Sequence, residues 1–86
     1  MIDLAMIQKQ GLCLAKRRGL AKSPLHSLEH LFSEVKEVRA EFVSGNLQNL
    51  GKELADVVLV AASIAEELDI NLEEAIIEKH LFNMER

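Results

Sequence analysis

Aromatic residues are almost absent from this sequence, which has three Phe and neither Tyr nor Trp. The apolar side chains are instead mostly those of Leu, Ile, Val and Ala. Aliphatic residues without aromatic partners suit the packing of helices better than a sandwich of β-strands. Because 49% of the residues are hydrophobic, the chain is also too apolar to be disordered. The composition therefore predicts an all-α protein.

Cysteine is equally scarce, because Cys13 stands alone and cannot form an intrachain disulfide. It lies between Leu12 and Leu14 in a helical pattern, so we expect a buried thiol in a reducing compartment. No apolar run approaches the ~20 residues that a membrane-spanning helix needs. The apolar start is interrupted by Asp3 and follows no basic segment, unlike a signal peptide. We expect a cytoplasmic protein with no membrane partner.

The chain is short and mildly acidic, with 86 residues, a net charge of −4 and a pI near 5.3. A chain of this size buries only about 60–65% of its unfolded surface, so its own core is marginal. We expect a single domain over residues 1–86, completed by further copies in a homodimer or homotetramer. The negative charge argues against nucleic acid as a partner, although bound Mg²⁺ reverses the local charge toward a nucleotide.

Helix signals divide the first half of the chain into two segments. The first helix is predicted over about residues 3–17, and the basic residues 16–18 lie where cations stabilise the negative end of a helix. The second helix begins with Ser23 as its N-cap and Pro24 as its first residue. It carries a continuous apolar stripe and ends at residues 44–46, which read Ser-Gly-Asn.

The third predicted helix, over about residues 48–68, is apolar on nearly all sides because residues 57–62 read VVLVAA. In isolation VVLV could be a buried strand, but helix-favouring residues flank it. A helix buried on all sides needs more protein than this chain offers, which again implies a partner subunit. The fourth helix follows Asn71, an N-cap with Glu74 three residues beyond it. The predicted fold is an antiparallel bundle of about four helices, completed by oligomerisation.

Two pairs of carboxylates lie on the second and third predicted helices. Glu34 and Glu37 are three residues apart, as are Glu53 and Asp56, so each pair shares one helix face. The two pairs could meet where the helices pack antiparallel, and four converging carboxylates need a counter-charge. Mg²⁺ prefers oxygen ligands and keeps positions for water and phosphate oxygens. Among 14 acidic residues, however, such pairs also arise by chance on solvated helix faces.

These motifs resemble those of a known superfamily. EVKE at residues 34–37 and ELAD at residues 53–56, the latter running into VVLV, resemble the ExxE…ExxD signature of the MazG-like all-α nucleoside triphosphate pyrophosphohydrolases. KHLFNMER at residues 79–86 resembles the K-x-x-x-N-x-x-R ending of the family, and the whole resemblance covers residues 18–86. The superfamily also includes dimeric dUTPases, dCTP pyrophosphatases and phosphoribosyl-ATP pyrophosphohydrolases.

The resemblance implies hydrolysis of a (deoxy)nucleoside triphosphate to the monophosphate and pyrophosphate. It implies Mg²⁺, with Mn²⁺ as an alternative, held by four carboxylates that are also the catalytic residues, namely Glu34, Glu37, Glu53 and Asp56. It further implies that three polar residues on one face of the last helix bind the substrate, namely Lys79, Asn83 and Arg86.

This sequence differs from many relatives at three points. Ser33 stands where an additional glutamate is common, Lys36 stands where a small residue is common, and no aromatic residue precedes Phe32 to meet a base. Metal binding is therefore better supported than recognition of a base. Neither the base nor the sugar of the substrate follows from the sequence.

The sequence leaves two alternative functions open. The chain could be a non-enzymatic helical interaction module, with solvated acids and the third helix as a dimer seam, or an enzyme of the phosphoribosyl-ATP pyrophosphohydrolase type. Glu41, one turn beyond Glu37, is interpreted as a solvated residue, with assistance to the metal as the alternative. His26 and His30 are interpreted as polar-face residues and not ligands, because histidine suits softer metals than Mg²⁺.

Overall fold

The computed structural model describes residues 2–86, and α-helices account for most of them. The helices are α1 (Leu4–Arg17), α2 (Pro24–Ser44), α3 (Leu47–Glu67) and α4 (Leu72–Met84). The described residues contain no strand, and the VVLV stretch lies inside α3. The predicted all-α fold of four helices is therefore confirmed. Among these residues, no helix is both long enough and apolar enough to cross a membrane.

A side-chain oxygen caps the N-terminus of every helix by accepting a hydrogen bond from the backbone N–H three residues on. The distances are 2.8–3.1 Å, and the four capping residues are Asp3, Ser23, Asn46 and Asn71. Such a cap stabilises a helix by about 1 kcal/mol. Ser23 and Asn71 are the caps that the sequence predicts, and Pro24 is the first residue of α2 as expected.

Helix α3 is the centre of the fold, because it packs against α1 on one side and against α2 on the other. The residues that it buries are small, namely Ala62, Ser63 and Ala65. Small side chains let the neighbouring helices approach closely, and Gly11 of α1 lies beside Ser63. Gly45 ends α2 with a φ of 80°, in the left-handed region that favours glycine, and α3 turns back along α2 directly after it.

Cys13 is exposed, so the expectation of a buried thiol is wrong. Helix α1 faces the interior with the side that carries Gln8, Gly11 and Ala15, which are at least partly buried. Cys13 lies about half a helical turn away from Gly11 and points to the other side of α1. The loose apolar stripe of this helix did not identify its buried face, because the most buried residue on it is a glutamine.

Gln8 connects α1 to the turn between α3 and α4. Its side chain is only 4% exposed. The amide nitrogen Nε2 donates to the carbonyl oxygen of Ile70 at 2.8 Å, and the amide oxygen Oε1 accepts from the backbone N–H of Leu72 at 3.1 Å. Gln8 therefore satisfies two backbone groups where the chain leaves α3 and enters α4.

We predict that Gln8→Met lowers the free energy of unfolding by about 1–3 kcal/mol, because two partly buried backbone groups lose their partners. Urea denaturation at a fixed protein concentration measures this change. Gln10→Met is the matched control, because Gln10 is exposed on the same helix. Equal stability of the two variants would contradict the connecting role of Gln8.

Most of the large apolar side chains remain exposed. Phe32 and Phe42 on α2 are 68% and 69% exposed, and Val58 on α3 is 56% exposed. Helix α4 buries none of its residues. Among residues 2–86, the buried hydrophobic side chains are those of Ala62 and Ala65. Helix α3 is therefore not covered on all sides by its own chain.

Candidate metal centre

The turn between α2 and α3 brings the two acidic pairs together. Glu37 precedes Gly45 by eight residues, and Glu53 follows Gly45 by eight residues. In an antiparallel pair of helices, two residues equally far from the turn lie at the same level. Glu34 lies one turn before Glu37 on α2, and Asp56 lies one turn after Glu53 on α3.

Three of the four predicted ligands converge. Glu34, Glu37 and Glu53 each offer a carboxylate oxygen, and these three atoms lie within 4.8 Å of one another. Glu34 and Glu53 are partly buried, whereas Glu37 is exposed. Asp56 lies outside this triad and is exposed, but its charge acts on Glu53. The acidic pair of α2 therefore faces Glu53 of α3 across the two helices.

The surroundings of Glu53 raise the pKa of its carboxyl group. Burial is the largest cause, because removal from water disfavours the charged form. A hydrogen bond with Glu37 adds to the rise, since two carboxyl groups form such a bond only when one of them holds a proton. The negative charges nearby raise the pKa further, in the order Glu37, Asp56 and Glu34.

Two carboxylate oxygens of the triad have unmet bonding capacity. Oε2 of Glu34 and Oε2 of Glu53 are buried and have no hydrogen-bond partner among the described residues. Buried polar atoms are normally paired, so each of these oxygens is suited to a ligand. The donor set consists entirely of carboxylate oxygens from two helices, which suits a hard divalent cation such as Mg²⁺. The residues present therefore fit such a metal ion.

A cavity of about 220 Å³ adjoins the acids and lies between α1, α2 and α3. Glu34 and Asp56 line it, and therefore belong both to the acidic pairs and to the cavity wall. Leu14 and Leu59 are among its apolar lining residues. Its other polar lining residues are Arg18, Ser27, His30 and Ser63. The cavity therefore combines apolar walls with a few polar groups, as small-molecule sites do.

Arg18 and Ser27 line the cavity although no sequence pattern predicts this position for them. Arg18 is the C-cap residue of α1, where a cation is expected. It also borders the cavity. Ser27 is buried, and its hydroxyl group donates to Oε2 of Glu67 at 2.9 Å. The position of Ser27, a polar residue beside the apolar stripe of α2, could have indicated that it is buried. For Arg18, nothing in the sequence beyond its positive charge indicated a position at the cavity.

Three side chains that the sequence places outside the metal site, those of His26, His30 and Glu41, are partly buried on α2. His30 is partly buried, and its Nε2 lies 3.0 Å from Oε1 of Glu34, so it belongs to the surroundings of the acids. His26 is also partly buried, and its Nδ1 lies 3.0 Å from the carbonyl oxygen of Leu20. Glu41 is partly buried and not fully solvated, because it lies on the same side of α2 as Glu34.

Two of the three predicted substrate-binding residues, Lys79 and Asn83, lie on α4, whose packing within the chain is against α1. Arg86 follows the end of this helix. Lys79 Nζ lies 5.0 Å from the centre of the Phe82 ring, and Arg86 Cζ lies 5.7 Å from it. Asn83 is exposed on the same helix. None of these three residues lines the cavity beside the acids. Their role in substrate binding stays a prediction.

The fold and the site together define an all-α protein with a carboxylate cluster between two antiparallel helices. The sequence model of the MazG nucleotide pyrophosphohydrolase domain matches residues 22–81, which is more than half of the chain. The chain therefore belongs to the MazG family, as the resemblance implied. The matched segment includes α2, α3 and most of α4, with all four acidic motif residues. Comparisons with curated proteins and with solved structures gave no significant match.

Membership of the family carries two general statements about function. The domain is a nucleotide pyrophosphohydrolase domain, so the chain belongs to a class of enzymes that cleave nucleotides at a phosphoanhydride bond. Enzymes of this family generally depend on a divalent metal ion, which agrees with the triad of carboxylates.

We predict that metal binding releases protons at mildly acidic pH. Because the folded protein raises the pKa of Glu53, this carboxyl group keeps a proton at pH values where an ordinary glutamate has lost it. A divalent cation must displace that proton, so apparent affinity rises with pH. Calorimetric titrations with Mg²⁺ in buffers of different ionisation enthalpy count the protons released.

The same pKa shift sets the pH dependence of stability without metal. A carboxyl group whose folded pKa is raised stabilises the protein at low pH, and this contribution is lost as pH rises through the folded pKa. Glu53→Gln is expected to remove both effects, whereas the control Glu29→Gln, at an exposed position of α2, keeps them. Measurable Mg²⁺ binding at pH 5.5 without any proton release would contradict a clustered arrangement.

Proposed function

We propose that this chain is a Mg²⁺-dependent nucleoside triphosphate pyrophosphohydrolase that forms a (deoxy)nucleoside monophosphate and pyrophosphate. One domain over residues 1–86 would carry the activity. The observation that carries the proposal is the triad of carboxylates, with oxygens within 4.8 Å of one another, in a chain of the MazG family. The two buried oxygens without partners are suited to a cation, and Mn²⁺ is the alternative to Mg²⁺.

The four acidic residues have different positions in the proposed metal site. Glu34, Glu37 and Glu53 form the centre of the proposed metal site, and Asp56 extends it by one turn of α3. When bound, the metal would neutralise phosphate charge and lower the pKa of a water molecule that attacks phosphorus. Asp56 and Glu34 border the cavity, so they lie where the phosphate groups of a nucleotide would pass from the cavity to the metal.

The cavity is the proposed position of the nucleoside. Its volume of about 220 Å³ is small, and its lining residues include no Phe, Tyr or Trp. Leu14 and Leu59 would therefore contact the base or sugar as aliphatic walls, without aromatic stacking. Arg18 supplies hydrogen-bond donors on one side of the cavity, whereas the hydroxyl oxygen of Ser27, whose proton is donated to Glu67, offers an acceptor on another side. Arg18 also brings a positive charge to a site that is otherwise rich in carboxylates, which favours an anionic ligand.

Helix α4 is the proposed second source of contacts to the nucleotide. Lys79 and Asn83 lie four residues apart and share one face of the helix, and Arg86 follows two residues after the helix ends at Met84. They match the ending that is typical of the family, and they are exposed. A cation that rests on the Phe82 ring keeps its hydrogen-bond donors free for phosphate oxygens.

Oligomerisation is part of the proposal, because one copy leaves too much apolar surface exposed. Leu54 and Val58 lie one turn apart on α3 and are half exposed, and Phe42 at the end of α2 is more exposed still. Burial of such side chains is favourable by roughly 1.5–3 kcal/mol each. We propose a homodimer or homotetramer in which this apolar surface is covered by another copy.

A non-enzymatic interaction module would need the same apolar surface, so exposure alone does not distinguish the two functions. The arrangement of the acids does, because a solvated stripe would keep its carboxylates apart in water. Here three carboxylates meet and two of them are partly buried, which has an electrostatic cost that a bound metal ion would offset. A phosphoribosyl-ATP pyrophosphohydrolase would use the same chemistry on a different nucleotide.

We predict that Glu53→Gln lowers turnover by roughly 100-fold or more, because one carboxylate of the metal site is lost without a change in side-chain shape. The measurement is pyrophosphate release in the presence of Mg²⁺ across a panel of nucleoside triphosphates. Glu66→Gln, at a partly buried position of the same helix, is the control and keeps the activity. Circular dichroism of both variants should show unchanged helix content. Near-normal activity of Glu53→Gln would refute the carboxylate site.

We also predict that the wild-type protein at micromolar concentration has the mass of a dimer or tetramer in light scattering. Val58→Glu should lower this mass, because a charge on the apolar surface of α3 opposes its burial. Lys52→Glu is the control, because it changes the charge of an exposed polar residue on another side of α3. A well-folded wild-type monomer would refute the proposed assembly.

A further inference from the structure

His30 and Glu34 form a hydrogen-bonded pair on successive turns of α2. Nε2 of His30 lies 3.0 Å from Oε1 of Glu34, and the two side chains are 22% and 15% exposed. A carboxylate only accepts hydrogen bonds, so the proton of this bond lies on Nε2. Both the neutral Nε2–H tautomer and the imidazolium ion donate in this way.

The bond gives the two oxygens of Glu34 different roles. Oε1 is occupied by His30, whereas Oε2 is buried and has no hydrogen-bond partner among residues 2–86. Glu34 is also one of the three carboxylates whose oxygens lie within 4.8 Å of one another. A free glutamate side chain rotates about several bonds, and a hydrogen bond to one oxygen restricts where the other oxygen lies.

We propose that His30 is a positioning residue of the metal centre, whose Nε2–H holds Oε1 of Glu34 so that Oε2 is directed to the divalent cation. The inference rests on the proposed function, because it assumes that Glu34 binds metal. Mg²⁺ requires near-ideal octahedral geometry, so a ligand held in place before binding loses less conformational freedom. His30 is not one of the proposed ligands, because the side chains whose ligand atoms converge are those of Glu34, Glu37 and Glu53.

A purely structural role is the competing explanation. A side-chain pair at this spacing also stabilises a helix, and in that case His30 would affect folding without any specific effect on the metal. The two roles differ in the kind of substitution that would preserve the wild-type behaviour. Positioning requires a hydrogen-bond donor at the place of Nε2, whereas helix stability and packing depend on the size and polarity of the side chain.

Three substitutions separate the two roles. His30→Gln places an amide nitrogen near the position of Nε2, whereas the amide nitrogen of His30→Asn lies near the position of Nδ1 and cannot reach Oε1. His30→Leu has no donor at all. His80→Leu removes an exposed histidine from α4 and is the control. Even if His30→Leu does not fold, the comparison of Gln with Asn keeps the test sharp.

The readout is the affinity for Mn²⁺ alone, from titrations without nucleotide in which electron paramagnetic resonance counts the free ion. Thermal unfolding of each metal-free variant is measured beside it. We expect His30→Asn and His30→Leu to bind Mn²⁺ about 10–100-fold more weakly than the wild type. His30→Gln and His80→Leu should bind Mn²⁺ with an affinity within about threefold of the wild-type value, a much smaller change than in the Asn and Leu variants of His30.

Each outcome has one meaning. Wild-type affinity in His30→Asn and His30→Leu would overturn the positioning role, while leaving the proposed function intact. An equal loss of affinity in the Gln and Asn variants would overturn it as well, because the effect would then not depend on a donor at Nε2. Absence of Mn²⁺ binding by the wild-type protein would instead refute the proposed metal-dependent function itself.

Discussion

The close approach of carboxylates across α2 and α3 is the constraint on which the rest of the structure depends. Three acidic side chains meet with oxygens within 4.8 Å of one another, and like charges at that distance oppose the packing of the two helices. The hairpin must therefore be held by other interactions. The capping groups at the helix starts and the small buried residues of α3 supply them. The raised pKa of Glu53 is the response of the site itself, because a retained proton removes one of the repelling charges.

The same arrangement links the fold to its chemistry. Small residues on α3 bring the helices close enough for their carboxylates to converge, and α1 closes the third side of the adjoining cavity. Glu34 is central, because it belongs to the triad, lines the cavity and accepts a hydrogen bond from His30. A change in the position of α2 relative to α3 would therefore alter the proposed metal site and the proposed nucleotide site together.

The hydrophobic core of the single chain is incomplete. Among residues 2–86 the buried hydrophobic side chains are those of two alanines, whereas most of the large apolar side chains remain exposed. Helix α4 is attached mainly where Gln8 bonds to the residues that precede and begin it. Stability and assembly are therefore coupled in the proposed oligomer. A partner that covers the apolar surface would supply the burial that 86 residues cannot provide alone.

The sequence by itself determined the helices, the N-caps Ser23 and Asn71 and the spacing of the acids within each pair, because these features depend on neighbours within a few residues. Ser23, Gly45 and Asn71 mark their helix ends through local hydrogen bonds and backbone angles. The family also followed from short motifs, and the domain match agrees with it. Only the tertiary structure decided which residues meet. The exposure of Cys13, the connecting role of Gln8 and the presence of Arg18 at the cavity depend on how α1 is rotated against α3, and a weak apolar stripe does not specify that rotation.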